Sequence, residues 1–176
     1  MTNTTTLQSR TLPDSSQPYV LERGQGDHVH FLNHLATRKV TSGDSSSMTA
    51  VEFYAPRGFG PPLHCHNSED EIMILWDGEI AFRSGENESI AGSGATVHLP
   101  HGVPHTFQVL SDMARFTTIT ASDAGVPVFD RMVAALGKPT EQPVLPTPVE
   151  IDPGEVAAAC GAHGIEVLGP PPAPLD

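Results

Sequence analysis

Short alternations of apolar and polar residues fill the middle of the chain. Six such segments are rich in β-branched and aromatic residues, and each is bounded by Gly, Pro, Asn or Asp. They are Met48–Tyr54, Glu71–Trp76, Glu79–Arg83, Ala95–Leu99, His105–Leu110 and Arg115–Thr120. Short strands at such even spacing predict an all-β sandwich or barrel. The Asp77-Gly78 pair predicts a tight hairpin between two of them.

The two ends of the chain lack this alternation. Residues 1–17 are polar and without apolar periodicity, so we predict a flexible N-terminal tail there. Residues 18–123 are predicted to form the barrel with its N-terminal strands. Residues 124–176 are predicted to hold C-terminal helices and a Pro-rich extension, because prolines recur there.

Helix signals occur twice in the C-terminal part. The first predicted helix covers about Val126–Leu136 and is followed by Gly and Pro. The second has Asp152 as its N-cap and Pro153 at its first position, and it should stop near Gly161 or Gly164.

Charge and composition exclude several classes of function. The chain has 176 residues, with 9 Lys and Arg against 21 Asp and Glu, and a formal net charge of −12. Such a surface repels nucleic acid and anionic membranes. No segment approaches the roughly 20 apolar residues of a membrane span, and the polar N-terminal segment does not resemble a secretory signal. We therefore predict a cytoplasmic protein without nucleic-acid or membrane partners, in which Cys65 and Cys160 form no structural disulfide.

Candidate chemistry is concentrated in His64, His66, Glu71 and His105. Three imidazoles and a carboxylate suit one divalent transition metal ion: Fe, Ni, Co, Mn, Cu or Zn. On an extended segment His64 and His66 point to the same face and Cys65 points away, so Cys65 is a poor ligand candidate.

The side chains that share a strand face with the last two candidate ligands are apolar. Met73 and Leu75 follow Glu71 at intervals of two, and Phe107 and Val109 follow His105 in the same way. This pattern is typical of a barrel interior that holds a metal in an apolar pocket. The predicted substrate pocket consists of Phe53, Met73, Leu75, Phe82, Phe107 and Val109.

Two motifs carry a family resemblance. The first comprises Gly58, His64, His66, Glu71 and Gly78, and the second comprises Gly94, Pro100, Gly102 and His105. Together they resemble the motifs of the cupin superfamily, which implies a small antiparallel jelly-roll β-barrel. The chain departs from the pattern at Val109, where the family usually has an Asn that is not a metal ligand.

The flanks extend the resemblance. Residues 18–27 and 163–170 look like the flanks of single-domain bacterial cupins of the quercetin 2,3-dioxygenase-like group. That resemblance implies one metal ion per chain, held by three His and one Glu, and O2-dependent cleavage of a flavonol-like or other enolic aromatic molecule. Glu71 would then be both ligand and catalytic proton acceptor. Small cupin barrels commonly pair, so a homodimer is expected.

Two other classes of function are compatible with the same residues. One is a metal-dependent lyase, isomerase or cyclase, which would need the four ligands but no oxygen. The other is a non-enzymatic module that binds a small molecule. Substrate identity does not follow from a fold, so both remain open here.

We predict no metal-binding or catalytic role for the remaining polar residues near the motifs. We expect His98 to point out of the barrel, His101 to be exposed in a turn, and Glu69 and Asp70 to form a solvated acidic turn. Four further histidines have no second candidate ligand at a suitable spacing, so we assign them no metal-binding or catalytic role: His28, His30, His34 and His163.

Overall fold

The computed structural model describes residues 13–175 and shows two antiparallel β-sheets with two helices. The predicted tail lies largely outside the described residues, and residues 13–17 contain no helix or strand. The strands, in chain order, are β1 Asp27–Phe31, β2 His34–Val40, β3 Met48–Pro56, β4 His64–His66, β5 Asp70–Asp77, β6 Glu79–Ser84, β7 Asn87–Gly92, β8 Thr96–Leu99, β9 His105–Val109, β10 Met113–Ala121, β11 Lys138–Pro139 and β12 Ile165–Val167.

The strands are divided between a seven-stranded sheet, in the order β11-β1-β2-β3-β10-β5-β8, and a five-stranded sheet, in the order β12-β4-β9-β6-β7. Alternation sets which side chains face the space between the sheets. On β10, for example, Ala114, Phe116, Thr118 and Thr120 are buried while their neighbours are partly exposed. The all-β prediction and the jelly-roll barrel that the motifs implied are both confirmed.

The Asp77-Gly78 pair forms a corner between the sheets, so the predicted hairpin is wrong. Strands β5 and β6 on either side of it belong to different sheets and do not pair with each other. Gly78 has a φ of +95°, and a Cβ there would lie 2.5 Å from the carbonyl oxygen of Met113. Only Gly allows the chain to turn so close to the loop before β10.

Both predicted helices are present. Helix α1 covers Phe129–Leu136 and helix α2 covers Pro153–Ala162. Asp152 caps α2 through its side chain, which accepts a hydrogen bond from the backbone N–H of Gly154. Within the described range, neither helix has the length and hydropathy that a membrane-spanning segment requires.

The C-terminal elements return to the barrel of their own chain. Strand β12 pairs with β4, so that Glu166 lies opposite Cys65 and Ile165 lies opposite His66. Phe129 and Met132 of α1 line the same cavity as the barrel residues beneath them. The segment after the barrel therefore covers the barrel's open end and helps to enclose the site.

Candidate metal centre

Three strands bring the four candidate ligands together. His64 and His66 lie on β4, Glu71 lies on β5, and His105 begins β9. His64 is directly opposite His105 in the β4–β9 pair, and their ring centroids are 4.3 Å apart. Because β5 belongs to the other sheet, Glu71 faces the three imidazoles across the barrel interior.

The ligand atoms form a compact group in which His66, Glu71 and His105 are buried and His64 is half-buried. One nitrogen or oxygen from each of the four residues lies within 4.8 Å of the others. The Nε2 atoms of His66 and His105 are each 3.4 Å from Oε2 of Glu71. Both Nε2 atoms are sealed from solvent and lack hydrogen-bond partners among the described residues. Such orphaned polar atoms are rare inside proteins, and a shared ion would satisfy them.

Backbone carbonyls fix the tautomer of two imidazoles. Nδ1 of His64 donates to the carbonyl oxygen of Pro62 at 2.8 Å, and Nδ1 of His105 donates to that of Val103 at 3.0 Å. A carbonyl can only accept, so the proton of each neutral ring stays on Nδ1 and the lone pair lies on Nε2. This is the common outer-shell arrangement of metal-binding histidines.

Burial and neighbouring charges favour the protonation states in which His64 and Glu71 can bind a metal ion, namely a neutral imidazole and an ionised carboxylate. Burial, aided by the charges of the other two histidines, lowers the pKa of His64 to about 4, so its ring is neutral at pH 7. Burial alone would raise the pKa of Glu71, but the nearby histidines outweigh it and lower this pKa to about 2. For His105, burial lowers the pKa, and the Glu71 carboxylate outweighs that effect and raises it. The site therefore contains one carboxylate, that of Glu71, which is ionised at pH 7 and lies next to the three imidazoles.

These observations show that the four residues can hold a metal ion. Their donor set of imidazole nitrogens and one carboxylate oxygen suits divalent transition metals in general, so the geometry alone does not select one of them. Cys65 is not part of the group, as its position between two ligands on an extended strand predicted. Both Cys65 and Cys160 are free thiols.

A mostly apolar cavity adjoins the four ligands. Its volume of about 70 Å³ is several times the roughly 10–15 Å³ that one water molecule needs, so it has room for several water molecules. His64, Glu71 and His105 contribute to its wall. The other lining residues come from the barrel, α1, α2 and β12, and include Phe31, Leu32, Phe59, Phe116, Phe129, Met132, Val156, Cys160 and Ile165.

The predicted substrate residues are divided between this cavity and the core. Phe53 and Phe107 line the cavity. The other four do not line it and are buried in the hydrophobic core: Met73, Leu75, Phe82 and Val109. Alternation places all six side chains inside the barrel, but it does not determine their height along the barrel axis.

Two residues differ from their predicted roles. His34 was interpreted as ordinary, but it is 1% exposed and lines the cavity. Glu69 was expected in a solvated turn, but it is buried and accepts a hydrogen bond from the backbone N–H of Val128 at the start of α1. By contrast, His98 and His101 are exposed as predicted. His101 hydrogen-bonds to the carboxylate of Asp70 in the turn.

Comparison with known families agrees with this geometry. The family described as Cupin domain matches residues 50–120, a range that includes all four candidate ligands. Residues 50–120 form a cupin domain. The observed two-sheet barrel is the fold that the two motifs implied, and the helices that follow it lie where the helix signals predicted them.

Individual relatives support the same fold. The chain is 25% identical over 116 residues to quercetin 2,3-dioxygenase of Bacillus subtilis, and the match covers 65% of this chain but only 34% of that protein. Among solved structures, it resembles KdgF from Halomonas sp., with a TM-score of 0.54 and 13% identity over 60% of this chain and 94% of that one. It also resembles the polyketide cyclase RemF from Streptomyces resistomycificus, with a TM-score of 0.51 and 18% identity over 60% and 80% of the two chains.

Proposed function

We propose that this cupin is a metal-dependent dioxygenase that cleaves a flavonol-like or other enolic aromatic molecule with O2. The observation that carries the proposal is the compact, largely buried group of His64, His66, Glu71 and His105 beside an apolar cavity lined with aromatic rings. The similarity to a quercetin 2,3-dioxygenase adds support, although the aligned segment spans about a third of that protein. We further propose one ion per chain and a homodimer.

The two oxygens of Glu71 suit it to two tasks. Oε2 faces Nε2 of both His66 and His105 at 3.4 Å, which makes it the oxygen for a metal contact. Oε1 accepts a hydrogen bond from the Thr118 hydroxyl at 3.3 Å. Since an oxygen has more than one lone-pair direction, Oε1 can also take the proton of an enolic hydroxyl and hold it during the reaction.

A bound divalent ion would supply Lewis acidity that favours loss of the enolic proton, together with open coordination positions. The protein residues do the rest. Backbone hydrogen bonds keep the Nε2 lone pairs of His64 and His105 free for an ion, and the aromatic wall excludes water from the anionic substrate. The electron-rich enolate then reduces O2: the bond between the two enol carbons breaks, each carbon gains one oxygen atom, the ring opens, and Glu71 returns the proton to the product.

Oxygen uptake tests this proposal. Protein reconstituted separately with each candidate metal is mixed with a panel of flavonols and simpler enols in an oxygen electrode cell. We expect O2 consumption with at least one metal, and its loss in Glu71→Gln with metal content retained. The matched control is Glu88→Gln, which removes an exposed carboxylate on β7.

Turnover of the same panel under argon would instead indicate lyase, isomerase or cyclase chemistry. Binding without turnover under either atmosphere would indicate a small-molecule-binding module. Full activity of Glu71→Gln would exclude Glu71 as the proton acceptor while leaving oxygen chemistry intact.

A further inference from the structure

His34 is a polar group in the cavity wall that the metal site does not use. It lines the same cavity as three of the candidate ligands but lies outside the four-residue group. Its side chain is almost fully buried, and its nearest aromatic neighbours are Phe59, Phe31 and Phe53, with ring centroids at 3.9, 5.0 and 5.3 Å. These rings fix the orientation of the imidazole.

The hydrogen bonding of His34 leaves one nitrogen free. Nδ1 donates to the carbonyl oxygen of Leu32 at 3.1 Å, so the neutral ring has its lone pair on Nε2. Nε2 hydrogen-bonds to no atom of residues 13–175. It is not among the polar atoms sealed from solvent, so a molecule in the cavity can reach it.

The turn that positions His34 is strained. Leu32 and Asn33 connect β1 to β2 with φ values of +46° and +67°. The left-handed region is unfavourable by roughly 1–2 kcal/mol for a residue with a bulky side chain such as Leu. The side chain of Asn33 holds the turn in place through hydrogen bonds to the backbone oxygen and nitrogen of Val149, at 2.8 and 2.9 Å. Strain of this kind is often found at binding sites.

We propose that His34 is a substrate-binding residue whose Nε2 accepts a hydrogen bond from a hydroxyl or N–H group of the ligand. The inference rests on the proposed function only in placing the substrate in this cavity. It also specifies the ligand further. One oxygen atom of the ligand lies at the metal site, and a hydrogen-bond donor elsewhere on the same molecule binds Nε2 of His34. Burial lowers the pKa of His34 to about 3, so the accepting form is present at pH 7.

A matched pair of small enolic chelators provides the test. Kojic acid and allomaltol share the hydroxypyranone that binds divalent metals, and they differ only in one hydroxyl on the substituent. Their affinities for the full-length, zinc-loaded protein are measured under argon by titration calorimetry, for wild type, His34→Phe and His34→Gln. Zinc and argon remove oxygen chemistry, so a failure of the dioxygenase proposal does not affect this measurement.

We expect wild type to bind kojic acid about tenfold more tightly than allomaltol, which corresponds to one net hydrogen bond. His34→Phe should lose this preference while binding allomaltol as wild type does, and His34→Gln should keep part of it, because the amide restores an acceptor. Equal affinities in wild type, no binding of either probe, or the same preference in His34→Phe would overturn the proposal. If His34→Phe does not fold, the ¹⁵N resonance of Nε2 in wild type decides, since it should shift with kojic acid and stay in place with allomaltol.

Discussion

The hydroxyl of Thr118 on β10 donates a hydrogen bond to Oε1 of Glu71 on the neighbouring strand β5, across 3.3 Å. Both side chains are buried. The contact fixes the carboxylate so that its other oxygen, Oε2, faces the imidazoles of His66 and His105. An outer-shell hydrogen bond of this kind commonly tunes the affinity of a metal site.

Replacing Thr118 with Val should weaken metal binding about tenfold, because Val has the same shape but cannot orient the carboxylate. The measurement is a competition titration with a chromophoric chelator. Thr117→Val is the matched control: this neighbour on the same strand accepts a hydrogen bond from the Trp76 indole and does not touch the metal site. Equal losses in the two variants would show that the effect is not specific to Glu71.

Protonation of His34 should make stability depend on pH. In the folded chain its pKa is lowered by burial to about 3, whereas the pKa of a free histidine side chain is 6.5. Between these values the unfolded chain binds a proton that the folded chain does not, so stability falls as the pH falls. The stability lost by wild type from pH 6.5 to pH 4.5 should exceed that lost by His34→Phe by about 2 kcal/mol.

Urea unfolding of both proteins at several pH values checks this, since contributions from other groups cancel in the difference. His98→Phe, an exposed histidine, should follow the wild-type profile. Parallel profiles for wild type and His34→Phe would mean that His34 is not kept neutral by burial.

A side chain at Gly60 should destabilise the protein because it would clash with a neighbouring strand, and not because of the backbone conformation at this position. A Cβ there would lie 2.1 Å from the carbonyl oxygen of Phe107, whereas at Gly92 nothing lies within 4 Å. Forcing an atom into a packed site destabilises by about 1–3 kcal/mol. Gly60→Ala should therefore lower the free energy of unfolding by about 2 kcal/mol more than Gly92→Ala does. Similar values in urea unfolding would contradict the close contact between this loop and β9.

The metal site could be predicted from the sequence because its information is local. His64 and His66 share a face by strand periodicity, and the two motifs identify Glu71 and His105 as their partners. The structure then brings all four within 4.8 Å. Strand and helix types were also predictable, since each depends on a short pattern of side chains.

The rest depends on contacts between distant segments. His34 is surrounded by Phe31, Phe53 and Phe59, which come from β1, β3 and the loop after β3, and no spacing in the sequence connects them. In the same way, periodicity places Met73 inside the barrel but does not show that it lies away from the cavity. The hairpin prediction at Asp77-Gly78 was wrong because the same Asp-Gly sequence can form either a hairpin turn within one sheet or a corner between two sheets.

We expect His64, His66, Glu71 and His105 to bind one divalent metal ion together. The most direct measurement is the metal content of purified wild type, His64→Ala and His105→Ala by elemental analysis, with His98→Ala as the exposed control. We predict close to one ion per chain in wild type and His98→Ala, and an affinity at least about 100-fold weaker in the two ligand variants, so that they lose the ion on dialysis. An unchanged metal content in His64→Ala and His105→Ala would contradict the claim.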